Sequence, residues 1–208
     1  MIFAIISSVI SFVSTNIDDI LILMVLFSKA DSREKRKHVF IGQYIGIGFL
    51  VLISILGALG LSIVQEKYIG FLGLVPMFMG IKELYEYKKG KEDDIEIVET
   101  DDEVKGASAL NFIKKYIPSD VVKVFMISIA NGADNIGIYI PMFRVMTTME
   151  LVVTIIIFIL MIYIWCIVAI KLVNYPLIKR NLEKYKDILV PVVFIIIGVF
   201  IFVESFRF

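Results

Sequence analysis

The 208-residue sequence holds one cysteine, Cys166, and one histidine, His38. A lone cysteine excludes an internal disulfide and any CxxC redox relay. Cys166 lies in an apolar run and reads as a small apolar filler. His38 lies in a charged loop and reads as solvated. Excess charge is also missing, because 21 Lys and Arg balance 21 Asp and Glu. That balance gives no footprint for nucleic acid. A GxxxxGK[ST] loop is absent, so ATP drive within this chain is not expected. The N-terminal stretch "MIFAIISSVISF" lacks a basic n-region and a small-residue cleavage site. It therefore reads as a permanent span rather than a signal peptide.

What the sequence has in quantity is apolar surface. Hydrophobic residues make up 59% of the chain, and the mean hydropathy is +0.88. A soluble domain has about 45–50% apolar residues, so the composition predicts a membrane protein. A helical span needs about 20 mostly apolar residues. Six runs qualify, at about 2–28, 39–64, 68–87, 122–143, 150–174 and 187–206. Each is far longer than a barrel strand and lacks strict alternation, so helices are expected.

Lysine and arginine set the expected orientation. The first loop has Lys29, Arg33, Lys35, Arg36 and Lys37. The third has Lys88, Lys89, Lys91, Lys105, Lys114 and Lys115, and the fifth has Lys171, Lys179, Arg180, Lys184 and Lys186. Against these sixteen, the opposite side has only Lys67, Arg144 and Arg207. Lys82 and Lys123 lie near span ends on the basic side, where they can snorkel. The split predicts both termini outside the cell membrane. The acidic stretch "EDDIEIVETDDE" at 92–103 lacks the glycine of an EF-hand loop. It reads as a solvated linker, with a weak cation collector as the alternative.

One short stretch, "STNIDDILIL" at 14–23, breaks the apolar pattern with two carboxylates. It has an echo. "TNIDDI" at 15–20 matches "NGADNI" at 131–136, so Asp18 falls on Asp134 and Asp19 on Asn135. "LVP" at 74–76 recurs at 189–191, at nearly the same offset. Together these echoes predict a duplicated three-span unit. Three spans is an odd number, so the second unit enters the membrane from the opposite side. The expected fold is an all-α polytopic membrane protein, with six transmembrane helices as two inverted three-helix repeats. Its parts are 1–87, a cytoplasmic linker at 88–121, and 122–208.

An Asp at a helix centre costs about 2.5–3.5 kcal/mol on the insertion scale. Intramembrane carboxylates generally face a cavity, a partner or an ion path. Ser8, Ser11, Thr15 and then Asp18 or Asp19 recur every three or four residues, as do Ser128, Asn131 and then Asp134 or Asn135. Each set forms a polar stripe that predicts a cavity lining, although serines also serve helix packing. Asp18 and Asp19 would point about 100° apart on an intact helix. Both reach one site only if the helix is broken near Asn16–Asp19 or the site lies between them. Gly132 and Gly137 make a break in the fourth span plausible, and Pro141 adds a kink. Pro76 and Pro191 read as further kinks, or as parts of a gate. Lys82 and Glu83 read as interfacial, and "GQYIG" at 42–46 as a small-xxx-small packing motif.

The candidate metal ligands are therefore Asn16, Asp18, Asp19, Asn131, Asp134 and Asn135. No basic residue within these motifs neutralises the acids, so a cation is the natural partner. All-oxygen ligation suits a divalent ion of calcium or manganese type.

"NIDD" near the N-terminus, "LGLVPMFMGIKEL" at 72–84 and "NGADNIGIYIP" at 131–141 resemble the bacterial cadmium-resistance transporters (CadD type) of the lysine-exporter superfamily. The resemblance covers essentially the whole chain. It implies export of a heavy divalent cation, chiefly Cd²⁺, as substrate rather than cofactor, and it places the acidic motifs at the six residues above. The oxygen-rich site does not itself demand cadmium over manganese or calcium, so selectivity rests on the resemblance. Expected partners are the metal ion and the lipid bilayer, with no nucleic acid; assembly as a homo-oligomer is left open. Proton exchange could drive export, because metal and proton compete for a buried carboxylate. Two alternatives remain. An amino-acid exporter is disfavoured by the three central acids. An intramembrane aspartyl protease would use paired aspartates, but "NGAD" lacks the GxGD pattern.

Overall fold

The structure is a computed structural model. Residues 2–61, 70–89, 117–173 and 175–205 are described; at 3, 70, 176–187, 204 and 205 only the backbone is. The acidic stretch 92–103 and most of the linker lie outside the described residues, as do Lys67, Lys91, Lys105, Lys114, Lys115 and Arg207.

Every element among the described residues is helical. The first apolar run forms α1 (Ile2–Thr15) and α2 (Ile17–Lys29), and the second forms α3 (Arg33–Gly60). A 3-10 turn at Gly70–Gly73 leads into α4 (Leu74–Lys88). The fourth run forms α5 (Ser119–Ala130) and α6 (Ala133–Val145). α7 (Thr148–Leu172) and α8 (Pro176–Ser205) complete the chain. Local chemistry sets several of these ends. The Ser32 side chain accepts from the Lys35 N–H at 3.1 Å and caps α3. Thr147 and Glu150 form a reciprocal capping box at the start of α7.

Helices occupy all six apolar runs, but six membrane spans are not established. Among the described residues, only α3 and α7 are unbroken, long and apolar enough to cross a membrane. The α1–α2 and α5–α6 pairs qualify only if each is one span, bent by 57° and 66° respectively. That makes two to four spans by length and composition. The shortfall has a geometric cause. With 15 residues, α4 is about 22 Å long at 1.5 Å per residue, below a hydrocarbon core of about 30 Å. α8 runs for 30 residues, Pro176–Ser205, and its side chains are described over Ile188–Val203. Pro76 sits in the first turn of α4, where the missing N–H has no helical acceptor to lose, so its presence does not require a kink.

The packing is intertwined. α3 lies mainly against α5 and α6, and α7 lies against α1 and α2. α4 and α8 form the most extensive pair. Their backbones touch at glycines: a Cβ on Gly73 would sit 2.4 Å from the Gly198 carbonyl oxygen, and one on Gly80 2.4 Å from that of Pro191. "GQYIG" does serve close packing, as its spacing suggests. A Cβ on Gly42 would meet Val124 Cβ at 2.5 Å, and one on Gly46 would meet Ser128 Cβ at 2.5 Å. The core centres on Phe12, Tyr139, Phe143, Phe158 and Trp165, with ring centroids as close as 4.8 Å for Tyr139 and Phe158. The outer faces are apolar: Leu52, Leu56, Ile156, Leu160 and Tyr163 are each more than half exposed. Such a continuous greasy exterior fits a lipid-facing surface.

Candidate metal site at two helix breaks

The first break falls at Asn16, between α1 and α2. Asn16 has φ −119° and ψ 11°, outside the helical region. Its own side chain competes with the helix: Nδ2 donates to the Phe12 carbonyl at 2.8 Å, beside the backbone bond from Asn16 N at 3.1 Å. The carbonyl of Asn16 finds a partner on another helix. Trp165 of α7 takes it up, with Nε1 donating at 2.7 Å. Phe12 packs edge-on against both Trp165 and Phe158, so the break is held from behind by an aromatic wall.

The second break, at Asn131–Gly132, occupies the corresponding place in the second motif. Helix α5 ends with Asn131 N and Gly132 N donating to the Ile127 and Ile129 carbonyls, each at 3.1 Å. Gly132 has an ordinary φ and lets the Leu50 side chain of α3 approach: a Cβ there would sit 2.4 Å from Leu50 Cδ2, which would have to shift. Asp134 and Asn135 then lie in the first turn of α6, as Asp18 and Asp19 do in α2. Helix N-termini favour negative charge, so each break places its acids where the backbone tolerates them. Pro141 lies within α6 rather than at the bend.

The two motifs meet. Asn16 Nδ2 donates to Asn135 Oδ1 at 3.2 Å and to the Tyr139 hydroxyl at 3.1 Å. That hydroxyl also pairs with Thr15 Oγ1 at 2.8 Å. Asn16 and Asn135 are fully buried, and Asn16 Oδ1 has no hydrogen-bond partner. Asp19 is also buried, with 7% exposure. Its Oδ2 accepts from Gln43 Nε2 at 3.3 Å, and the Asn131 side chain lies close enough to interact with it. Asp18 and Asp134, both half-buried, lie within electrostatic reach of Asp19. Among the described residues Asp19 thus interacts with two amides and two carboxylates, and with no cationic side chain.

All six sequence-derived residues therefore converge on the two breaks, in two subsets. Asn16 and Asn135 form a buried amide pair, whereas Asp18, Asp19, Asn131 and Asp134 form an acidic group beside it. Among the described residues no three of His, Cys, Asp and Glu are close enough to hold a metal ion as they stand. The reason lies in α2. The helix breaks before the aspartate pair rather than between them, so Asp18 and Asp19 still diverge by about 100°. The serine stripe of α1 also serves differently from a cavity lining. Ser8 pairs with Thr154 at 2.8 Å, Ser11 with Met142 Sδ at 3.1 Å, and Thr15 with Tyr139. It is a polar seam between helices.

Sequence reasoning missed Gln43, Tyr139 and Trp165. Gln43 was the one signal available, a lone amide inside an apolar run. Tyr139 and Trp165 carry no local signal, because aromatic residues are ordinary in a greasy core.

Paired helix breaks that carry carboxylates, within a fold that is helical throughout the described residues, are features of membrane transport proteins. The sequence model of the cadmium resistance transporters matches residues 12–208, nearly the whole chain, and the protein belongs to that family. Its class is therefore one of transporters, not of enzymes, and it implies a metal-ion substrate. Comparisons with curated proteins and with solved structures give no match.

Proposed function

We propose that the protein exports divalent heavy-metal ions, chiefly Cd²⁺, from the cytoplasm through a site where the two broken helices meet. The observation that carries this reading is the junction itself. The first and fourth apolar runs are each broken at their acid/amide motif, and the 3.2 Å bond from Asn16 to Asn135 ties one break to the other. Asp18, Asp19 and Asp134 supply the charge. Asn16, Asn131 and Asn135 supply amide oxygens, and the unpartnered Asn16 Oδ1 is one acceptor already free for a cation. A small movement of the half-helices would bring the acids from electrostatic reach into ligand distance.

The fold is two inverted three-helix repeats, 1–87 and 122–208, joined by the linker 88–121. The packing supports this symmetry. The second helix of each half lies against the broken pair of the other, and the third helices pair together. Both termini face outward across the cell membrane, as the lysine and arginine distribution requires. No resident cofactor takes part. Export runs in exchange for protons, because a carboxylate must be deprotonated to ligate a metal.

Reconstitution in proteoliposomes tests the assignment. Cd²⁺ flux should follow an imposed pH gradient, and it should be lost in Asp19→Asn and in Asp134→Asn. Intact flux in both variants would show that the metal passes elsewhere.

A further inference from the structure

Gln43 stands in a run of small and apolar side chains on α3, yet it is 2% exposed and spends its whole amide on polar partners. Its Nε2 donates to Asp19 Oδ2 at 3.3 Å, and its Oε1 accepts from Ser128 Oγ at 3.0 Å. An ionised carboxylate only accepts, so the nitrogen must face Asp19 and the oxygen must face a donor. Ser128 meets that need from α5 and is itself buried. The bond is possible because α3 and α5 nearly touch. Gly46 leaves room for Ser128, whose Cβ would meet an added Cβ at 2.5 Å. The motif read as packing therefore also delivers an amide between the two broken helices.

We infer that Gln43 is a positioning residue for cation binding. It fixes the Asp19 carboxylate on α2 against α5, and Ser128 fixes Gln43. The inference rests on the reading of Asp19 as a metal ligand. Metal affinity then depends on Gln43 although its amide makes no contact with the ion. A leucine in its place would fill much of the same space and leave the carboxylate to rotate. Hydrogen bonds to charged groups are among the stronger ones, and each factor of ten in Kd corresponds to 1.4 kcal/mol. The loss should weaken Cd²⁺ binding about tenfold or more.

The experiment is a Cd²⁺ titration and a transport assay on purified full-length protein carrying Gln43→Leu, Ser128→Ala, both together, or Gln43→Asn. Gln43→Leu should raise Kd and transport KM about tenfold with little change in maximal rate. Ser128→Ala should have a smaller effect alone and none on top of Gln43→Leu, because it acts through Gln43. Gln43→Asn, too short to span both partners, should recover little. The inference is overturned if folded Gln43→Leu protein keeps wild-type Kd and KM, or if the two substitutions simply add. If Gln43→Leu does not fold, Ser128→Ala alone decides: unchanged Kd overturns it. An Asp19→Asn variant with intact flux would instead refute the metal-site reading itself.

Discussion

The helix break at Asn16 should matter far more for transport than for stability, and Asn16→Leu separates the two. The substitution removes the amide that shares the Phe12 carbonyl with the helix and bonds Asn135 and Tyr139. Two interhelical bonds are lost. Such bonds in membrane proteins average about 0.6 kcal/mol and reach at most about 1.7, so the cost of losing two is roughly 1.2 kcal/mol and no more than about 3.4. For a chain of this size, 1 kcal/mol lowers the melting temperature by about 2–4 °C. The geometric effect is larger. Asp19 lies three residues beyond the hinge, about 4.5 Å along the axis. Removing the 57° bend would displace it by about 4 Å. Metal sites tolerate ligand displacements of about 0.2 Å. Everted vesicles with an entrapped cadmium indicator should therefore show KM raised more than tenfold, while detergent-solubilised protein melts only a few degrees lower. A folded Asn16→Leu protein with wild-type KM would refute the argument that the break positions the acids.

Other outcomes are open to direct measurement. Trp165 is the sole tryptophan and bonds the Asn16 carbonyl, so its fluorescence should change on saturation with Cd²⁺ and stay constant in Asp19→Asn; a flat wild-type titration would count against metal at the break. Trp165→Phe preserves the ring against Phe12 but loses the 2.7 Å bond, and it should cost about 1 kcal/mol in thermal unfolding. Gly46→Ala forces its Cβ to within 2.5 Å of Ser128 Cβ and should destabilise by about 1–3 kcal/mol. Gly48→Ala, with nothing within 4 Å, should melt within about 0.5 kcal/mol of wild type; equal effects of the two alanines would show that the α3–α5 contact is looser than it looks.

Local chemistry was enough to place the helices and their breaks. Apolar run length marks helical segments. Asn16 and the Asn131–Gly132 pair interrupt them because their side-chain and steric demands act within a turn. The doubled acid/amide motif was legible for the same reason. Span count was not, since it depends on helix length and bend angle in space, and α4 proved too short on its own. Nor could a serine stripe reveal whether it lines water or pairs with Thr154 and Tyr139. Three-dimensional packing alone decided that Asp19 is buried while Asp18 is only half so. It also decided that Gln43 braces Asp19, and that Trp165 and Tyr139 hold the break. The deciding bonds join residues 119, 124 and 149 positions apart. At that separation no periodicity in the chain specifies a partner; close approach of helix backbones does.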